Sequence, residues 1–281
     1  MYHGPPRRSL FDPEVRRRGI YLLPNLFTTA ALFAGFYAIV QAMNDEYVRG
    51  CMAIFVAMVL DSLDGRVARL THTQSDFGAE YDSLSDMVSF GAAPALIMYE
   101  WALRPLGQWG WFAAFVYCAG AALRLARFNT NIEVVDKRYF QGLPSPAAAA
   151  LVVGFIWLAV ENRLPLQHLN ALTAAWLPDG VTLVAVLAWC ISVYGGATMV
   201  SNVPFYSFKD VGRYKRVPVA AIFLIGIAIF VVQAYPPLVL FSLFVIYGFS
   251  GYVIWLWNLK SGKRSADILR KAHPPEEPPL P

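Results

Sequence analysis

The sequence predicts an all-α, polytopic transmembrane helical bundle of about eight spans, and three observations predict it. The chain of 281 residues is 57% hydrophobic and only 15% charged, where a soluble domain carries about 25% charged residues. Its apolar residues fall into successive runs near the roughly 20 residues needed to cross a bilayer as a helix. Its Lys and Arg residues cluster in alternate connections between those runs, the asymmetry that orients membrane helices.

Taken in order, the runs are Asn25 to Met43, Tyr47 to Leu70, Phe77 to Leu103, Trp109 to Asn129, Pro146 to Glu161, Val181 to Val200, Val217 to Ala234 and Pro237 to Leu259. The third is long and the fifth short. Residues 1–24 form a basic juxtamembrane segment bearing Arg7, Arg8, Arg16, Arg17 and Arg18, residues 25–259 one membrane domain, and residues 260–281 a tail. That tail ends in Pro274, Pro275, Glu276, Glu277, Pro278, Pro279 and Pro281, a composition that cannot bury enough apolar surface to fold. Eight Trp residues suit the membrane interface, and Trp101, Trp109 and Trp111 bracket one connection. Cys51, Cys118 and Cys190 each lie inside an apolar run without CxxC or Cys/His spacing, so neither a disulfide framework nor a zinc site is expected.

Threading the runs alternately leaves Arg49, Arg104 and Arg163 in the outer connections and every other Lys and Arg on the inner side. Both termini are then cytoplasmic. The net charge of +4 resides in this inner collar, which favours anionic headgroups and anionic substrates. Nucleic acid is not expected as a partner, because the basic residues flank spans instead of lining a soluble face.

Against this background four acids stand out. The second run ends Asp61-Ser62-Leu63-Asp64-Gly65-Arg66-Val67-Ala68-Arg69, and residues 61, 64, 65 and 68 share one helical face. The third run begins Gly78-Ala79-Glu80-Tyr81-Asp82-Ser83-Leu84-Ser85-Asp86, with 78, 82 and 86 at i, i+4 spacing. Both faces lie at the inner ends of adjacent antiparallel helices, so Asp61, Asp64, Asp82 and Asp86 can meet. An Asp deep in a span costs about 2.5 to 3.5 kcal/mol, and like charges brought together repel. Hard divalent cations such as Mg²⁺ or Mn²⁺ remove that penalty, and two of them can serve phosphoryl displacement. Gly65, Ala68 and Gly78 leave room for a flat base, a ribose or a pyrophosphate against the backbone. A cation-coupled transporter is the competing reading; it calls for acids near mid-bilayer, whereas these lie near one end.

The pattern Asp-x2-Asp-Gly-x2-Ala-Arg-x8-Gly-x3-Asp-x3-Asp from Asp61 to Asp86 resembles the complete signature of the CDP-alcohol phosphotransferase family, with no position departing from it. The resemblance implies an enzyme that displaces CMP from a CDP-linked lipid or alcohol, with two divalent cations, Mg²⁺ or Mn²⁺, on the aspartates and Asp86 as both ligand and general base. It also implies a homodimer. The stretch from Ser83 to Ala95, with Ala122 to Asn129 and Gly142 to Ala148, resembles the integral-membrane phosphatidylserine synthases within that family. That subgroup implies CDP-diacylglycerol as donor and L-serine as acceptor; with membrane lipids as surroundings, the charge asymmetry turns a site in the inner (plasma) membrane toward the cytoplasm. Choline, inositol phosphate and glycerol phosphate are the alternative acceptors.

Around the core motif, Gly65, Ala68, Arg69, Gly78 and Asn25 are the candidates for CDP binding. Arg69 belongs to the motif, and Asn25 stands in Pro24-Asn25-x2-Thr28, a segment that also reads as ordinary helix capping. The serine carboxylate requires a cation, preferably a bidentate one. Arg124 and Arg127, at the inner end of the fourth run, are the candidates, with Asn129, Ser145 and Lys209 on the same side.

Overall fold

The computed structural model describes residues 13–71, 73–130, 139–161, 182–207, 226–227 and 230–260. Lys209, Arg163, the arginines before residue 13, the final tail and most of the seventh predicted run lie outside the described residues. The molecule is mostly helical. Helix α1 spans Pro13–Met43 and α2 Tyr47–Thr71, joined by a tight turn in which Asp45 takes a positive φ of 61°. Helix α1 starts well before Asn25 and runs through Pro24.

The third predicted run is not one regular helix. Helix α3 (Asp76–Asp86) opens on Ser75, whose hydroxyl accepts from the Gly78 N–H at 3.1 Å. A π-helical turn (Met87–Ala92) follows, then α4 (Ala93–Met98), a second π-turn (Tyr99–Leu103) and a 3₁₀ turn (Arg104–Leu106). Such π-turns are often found at functional sites, and the first begins directly after Asp86. Close packing against α1 accompanies it: a Cβ on Gly35 would lie 2.5 Å from Ser89 Oγ and 2.7 Å from Ser89 Cα. Ser89 and Ser85 turn their hydroxyls to the α1 carbonyls of Ala31 and Thr28, each at 3.1 Å. The backbone thus approaches α1 as small residues permit in membrane bundles.

Helix α5 covers Gln108–Thr130, α6 Ser145–Glu161, α7 Leu183–Val200 and α8 Pro236–Lys260. Helix α6 is the central post, buried almost throughout from Ala147 to Ala159, and it packs against α2, α7 and α8. Helices α5 and α7 meet through glycines: a Cβ on Gly120 would stand 2.5 Å from the Gly196 carbonyl oxygen. Phe33, Leu70, Trp109, Trp111, Ile246 and Trp257 are exposed, the surface a lipid phase accommodates. Trp101 instead turns inward, edge-on to Phe155 at 5.7 Å between centroids.

Among the described residues, four helical stretches are long and apolar enough to cross a membrane: Pro24–Met43, Gln108–Thr130, Leu183–Val200 and Pro236–Trp257; Ser145–Glu161 is a shorter apolar helix. Helix α2 falls short on composition because Asp61, Asp64, Arg66 and Arg69 crowd its last turns. One feature departs from the all-α expectation. Strands β1 (Tyr139–Gln141) and β2 (Pro204–Tyr206) pair antiparallel, with Tyr139 opposite Tyr206 and Gln141 opposite Pro204. Their residues fall in connections between runs, and three residues per strand are too few to leave an alternating pattern.

Candidate active site

The site forms where the last turns of α2 face the first turns of α3. Asp61, Asp64 and Asp82 each bring a carboxylate oxygen within 4.8 Å of the others'. Asp64 is buried, Asp61 and Asp82 half-buried. Asp86, one helical turn beyond Asp82, sets its carboxyl group within hydrogen-bonding range of Asp61. The two predicted faces therefore converge, and the four acids form a triad with a fourth member adjoining it.

The ion pairs among the described residues are Arg49–Glu46 and Arg104–Glu100, neither involving the cluster. Thr28 on α1 is the cluster's main neutral support, donating to Asp64 Oδ2 at 2.8 Å. The Asp82 Oδ1 atom is buried and receives no N–H or O–H donor among the described residues; its close neighbours are the carboxylates of Asp61 and Asp64. A donorless buried carboxylate oxygen among like charges is costly. An oxygen-only set of this kind fits a hard divalent cation, so the residues present suit a metal.

The small residues of the motif leave space beside the acids. Among the described residues, a Cβ added to Gly65 would meet only the Arg69 guanidinium, 3.6 Å from Nη1. One added to Gly78 would come within 3.1 Å of Ser75 Oγ and 3.5 Å of Asn25 Oδ1, so Asn25 stands over the α3 start. Arg69 is exposed and Ala68 half-buried. Gly65, Ala68, Arg69 and Gly78 thus lie along the two helix ends that carry the aspartates, and Asn25 approaches them from α1.

Behind the cluster, the candidate acceptor residues separate. Arg124 donates from Nη1 to Oγ of the fully buried Ser145 and stands over the Phe128 ring, 6.0 Å from its centroid. Asp86, Asp61 and Tyr247 of α8 lie within electrostatic reach of its charge. Arg127 points elsewhere: its Nη1 donates to the Val200 carbonyl at 2.9 Å and to Asn202 Oδ1 at 3.3 Å. The unsatisfied carbonyls at the end of α7 attract a guanidinium. Asn129 reaches α3 through the Ser83 hydroxyl, at 3.0 Å from its Nδ2, and not the aspartates themselves. Thr28 and Tyr247 are the neighbours that sequence reasoning did not assign to the site. The segment Pro24-Asn25-x2-Thr28 carried a signal for the first, since Thr28 lies one turn after Pro24; Tyr247 sits in an apolar run with no motif around it.

The model of the CDP-alcohol phosphatidyltransferase family matches residues 21–205. Relatives named CDP-diacylglycerol--serine O-phosphatidyltransferase include proteins of two Helicobacter pylori strains, 34% and 35% identical over 85% and 88% of this chain and 92% and 98% of their own lengths. A protein of the same name from Methanocaldococcus jannaschii is 49% identical over 37% of this chain and 49% of its own length. The yeast Saccharomyces cerevisiae has another, 40% identical over 44% of this chain and half of its own. The matched region encloses the whole aspartate cluster, the Thr28 that supports it and the arginine behind it, and on that match the chain belongs to the CDP-alcohol phosphatidyltransferase family.

Proposed function

We propose that the chain synthesises phosphatidylserine, transferring the phosphatidyl group of CDP-diacylglycerol to the hydroxyl of L-serine and releasing CMP. The reading is carried by one juxtaposition: Arg124, a cation held by a buried serine, lies within electrostatic reach of Asp86 and Asp61 of the aspartate cluster. An acceptor with a carboxylate and a hydroxyl a few bonds apart is matched by a cation and a base set that way. Choline offers no carboxylate to Arg124. The names of the relatives support the same acceptor.

In this reading Asp61, Asp64 and Asp82, with Asp86 at their edge, hold two divalent cations, Mg²⁺ or Mn²⁺. When bound, such ions neutralise the diphosphate and stabilise charge on the phosphoryl oxygens and on departing CMP. Gly65, Ala68 and Gly78 admit the cytidine and diphosphate to the helix backbone, with Asn25 and Arg69 beside them. Arg124, set by Ser145, orients the serine carboxylate. Asp86 takes the proton from the serine hydroxyl. The serine oxygen then forms a bond to the phosphorus carrying diacylglycerol, and the bond from that phosphorus to the CMP oxygen breaks. The electron pair leaves with CMP, and Asp86 keeps the proton until it returns to solvent.

The wider setting belongs to the same proposal. The chain crosses the inner membrane about eight times with both termini cytoplasmic, residues 25–259 forming the catalytic domain and the flanking segments lying in the cytoplasm. The positive charges of the inner connections support it. The catalytic unit is a homodimer among membrane lipids, as the family resemblance implies. The test is release of CMP by purified protein supplied with CDP-diacylglycerol and Mn²⁺ or Mg²⁺, offering L-serine, choline, inositol phosphate or glycerol phosphate in turn. Release with L-serine alone is expected. Release with another acceptor alone would change the substrate, and none with any would favour cation-coupled transport.

A further inference from the structure

Arg127 and the short β-ribbon are tied together by one side chain that the site itself does not contain. Asn202, between α7 and β2, receives two N–H donors on the same oxygen: Arg127 Nη1 at 3.3 Å and Gln141 Nε2 at 2.7 Å. Arg127 lies one turn after Arg124 on α5, and Gln141 ends β1. Three segments distant in sequence therefore converge on Asn202 Oδ1.

What the ribbon positions is Ser145. After Gln141 the chain turns through Gly142, at φ 78°, where a Cβ would collide with the Met199 carbonyl oxygen. The Gly142 N–H donates to the Val203 carbonyl at 2.9 Å and the Leu143 N–H to the Thr198 carbonyl at 3.1 Å. Leu143 is buried, and Ser145 begins α6 two residues later, fully buried, with its hydroxyl on Arg124. A continuous run of contacts thus leads from Asn202 through Gln141 and the Gly142 turn to Ser145, and from Ser145 to Arg124. On its other side β2 is clamped to α8: a Cβ on Gly251 would meet the Phe205 ring at 2.5 Å, and the Tyr247 hydroxyl donates to the Tyr206 carbonyl at 3.2 Å.

We propose that Asn202 is a positioning residue for acceptor recognition: by holding Arg127 and Gln141 on one oxygen it fixes the β-ribbon, and through it the Ser145 hydroxyl that aims the Arg124 guanidinium at the acceptor carboxylate. The proposal rests on the reading that Arg124 binds that carboxylate. It gives Arg127 a different task from Arg124, although the two differ by only three positions on one helix. Because both partners of Asn202 are donors, only its acceptor oxygen matters, so Asp serves in its place and an apolar isostere does not.

The test is steady-state kinetics of full-length protein in detergent or vesicles, with L-serine and CDP-diacylglycerol varied separately. Asn202 is exposed, so Asn202→Leu is expected to fold, and its thermal unfolding is measured alongside. The expected result is a rise of about three- to tenfold in KM for L-serine, the scale of one lost hydrogen bond, with kcat and KM for CDP-diacylglycerol within about twofold. Asn202→Asp restores the wild-type KM. In a Ser145→Ala background Asn202→Leu adds no further rise, since the two act in series. Arg124→Lys, assayed in parallel, separates the two claims. If Arg124→Lys leaves KM for L-serine unchanged, the acceptor reading falls and the positioning role with it. If Arg124→Lys raises that KM while Asn202→Leu does not, or if Asn202→Leu impairs both substrates and kcat alike, the positioning role alone is overturned.

Discussion

Replacing Asp82 by Asn should stabilise the metal-free protein while inactivating it, because the cluster is electrostatically strained without cations. Asp61, Asp64 and Asp82 hold carboxylate oxygens within 4.8 Å of one another. At an effective dielectric constant of about 20, two unit charges at that distance repel by roughly 3 to 4 kcal/mol. Asp82 takes part in two such pairs, and its buried Oδ1 has no donor to offset them. Proton uptake and local relaxation absorb most of the repulsion, leaving a net cost on the order of 1 to 2 kcal/mol. Asn is nearly isosteric, removes the charge and adds two donors that the neighbouring carboxylates accept. At about 2 to 4 °C per kcal/mol for a chain of this size, Asp82→Asn should raise Tm in chelator by roughly 2 to 8 °C. Adding Mn²⁺ should then raise Tm of the wild type but hardly that of the variant, as mass action requires when a ligand is lost. Thermal unfolding in detergent, with and without metal, measures both. An Asp82→Asn protein that melts at or below the wild type in chelator, or gains as much from Mn²⁺, would refute the reasoning.

Other outcomes follow from the same geometry. Thr28→Val removes the hydroxyl that holds Asp64 Oδ2, and the Mn²⁺ concentration for half-maximal CMP release should rise about ten- to a hundredfold, with Thr28→Ser restoring it. Asp86→Asn should abolish CMP release with Tm preserved within a few degrees; near-normal turnover would overturn its role as base. Chelation with EDTA should stop CMP release and either Mn²⁺ or Mg²⁺ should restore it, which activity measured before and after readdition checks. Gly35→Ala places a methyl against Ser89 and should cost about 1 to 3 kcal/mol by overpacking, read as a lower Tm.

Much of this protein was legible in one dimension because the bilayer and the metal each impose a local rule. Lipid requires long apolar helices, which composition and run length reveal, and the described helices α1, α2, α5, α6, α7 and α8 fall on runs read from the sequence. A carboxylate cluster at a helix end is written in i, i+3 and i+4 spacings, so the meeting of Asp61, Asp64, Asp82 and Asp86 is legible in the sequence alone. Periodicity does not encode contacts between segments far apart in sequence. The π-turn after Asp86, the hydroxyls of Ser85 and Ser89 on α1 carbonyls, and the support of Asp64 by Thr28 depend on how closely α1 approaches. Arg124 and Arg127 look alike in sequence, three residues apart on one helix. Only the tertiary structure sends the first to Ser145 and the acids and the second to the end of α7, because the carbonyls and hydroxyl that satisfy each guanidinium come from other parts of the chain.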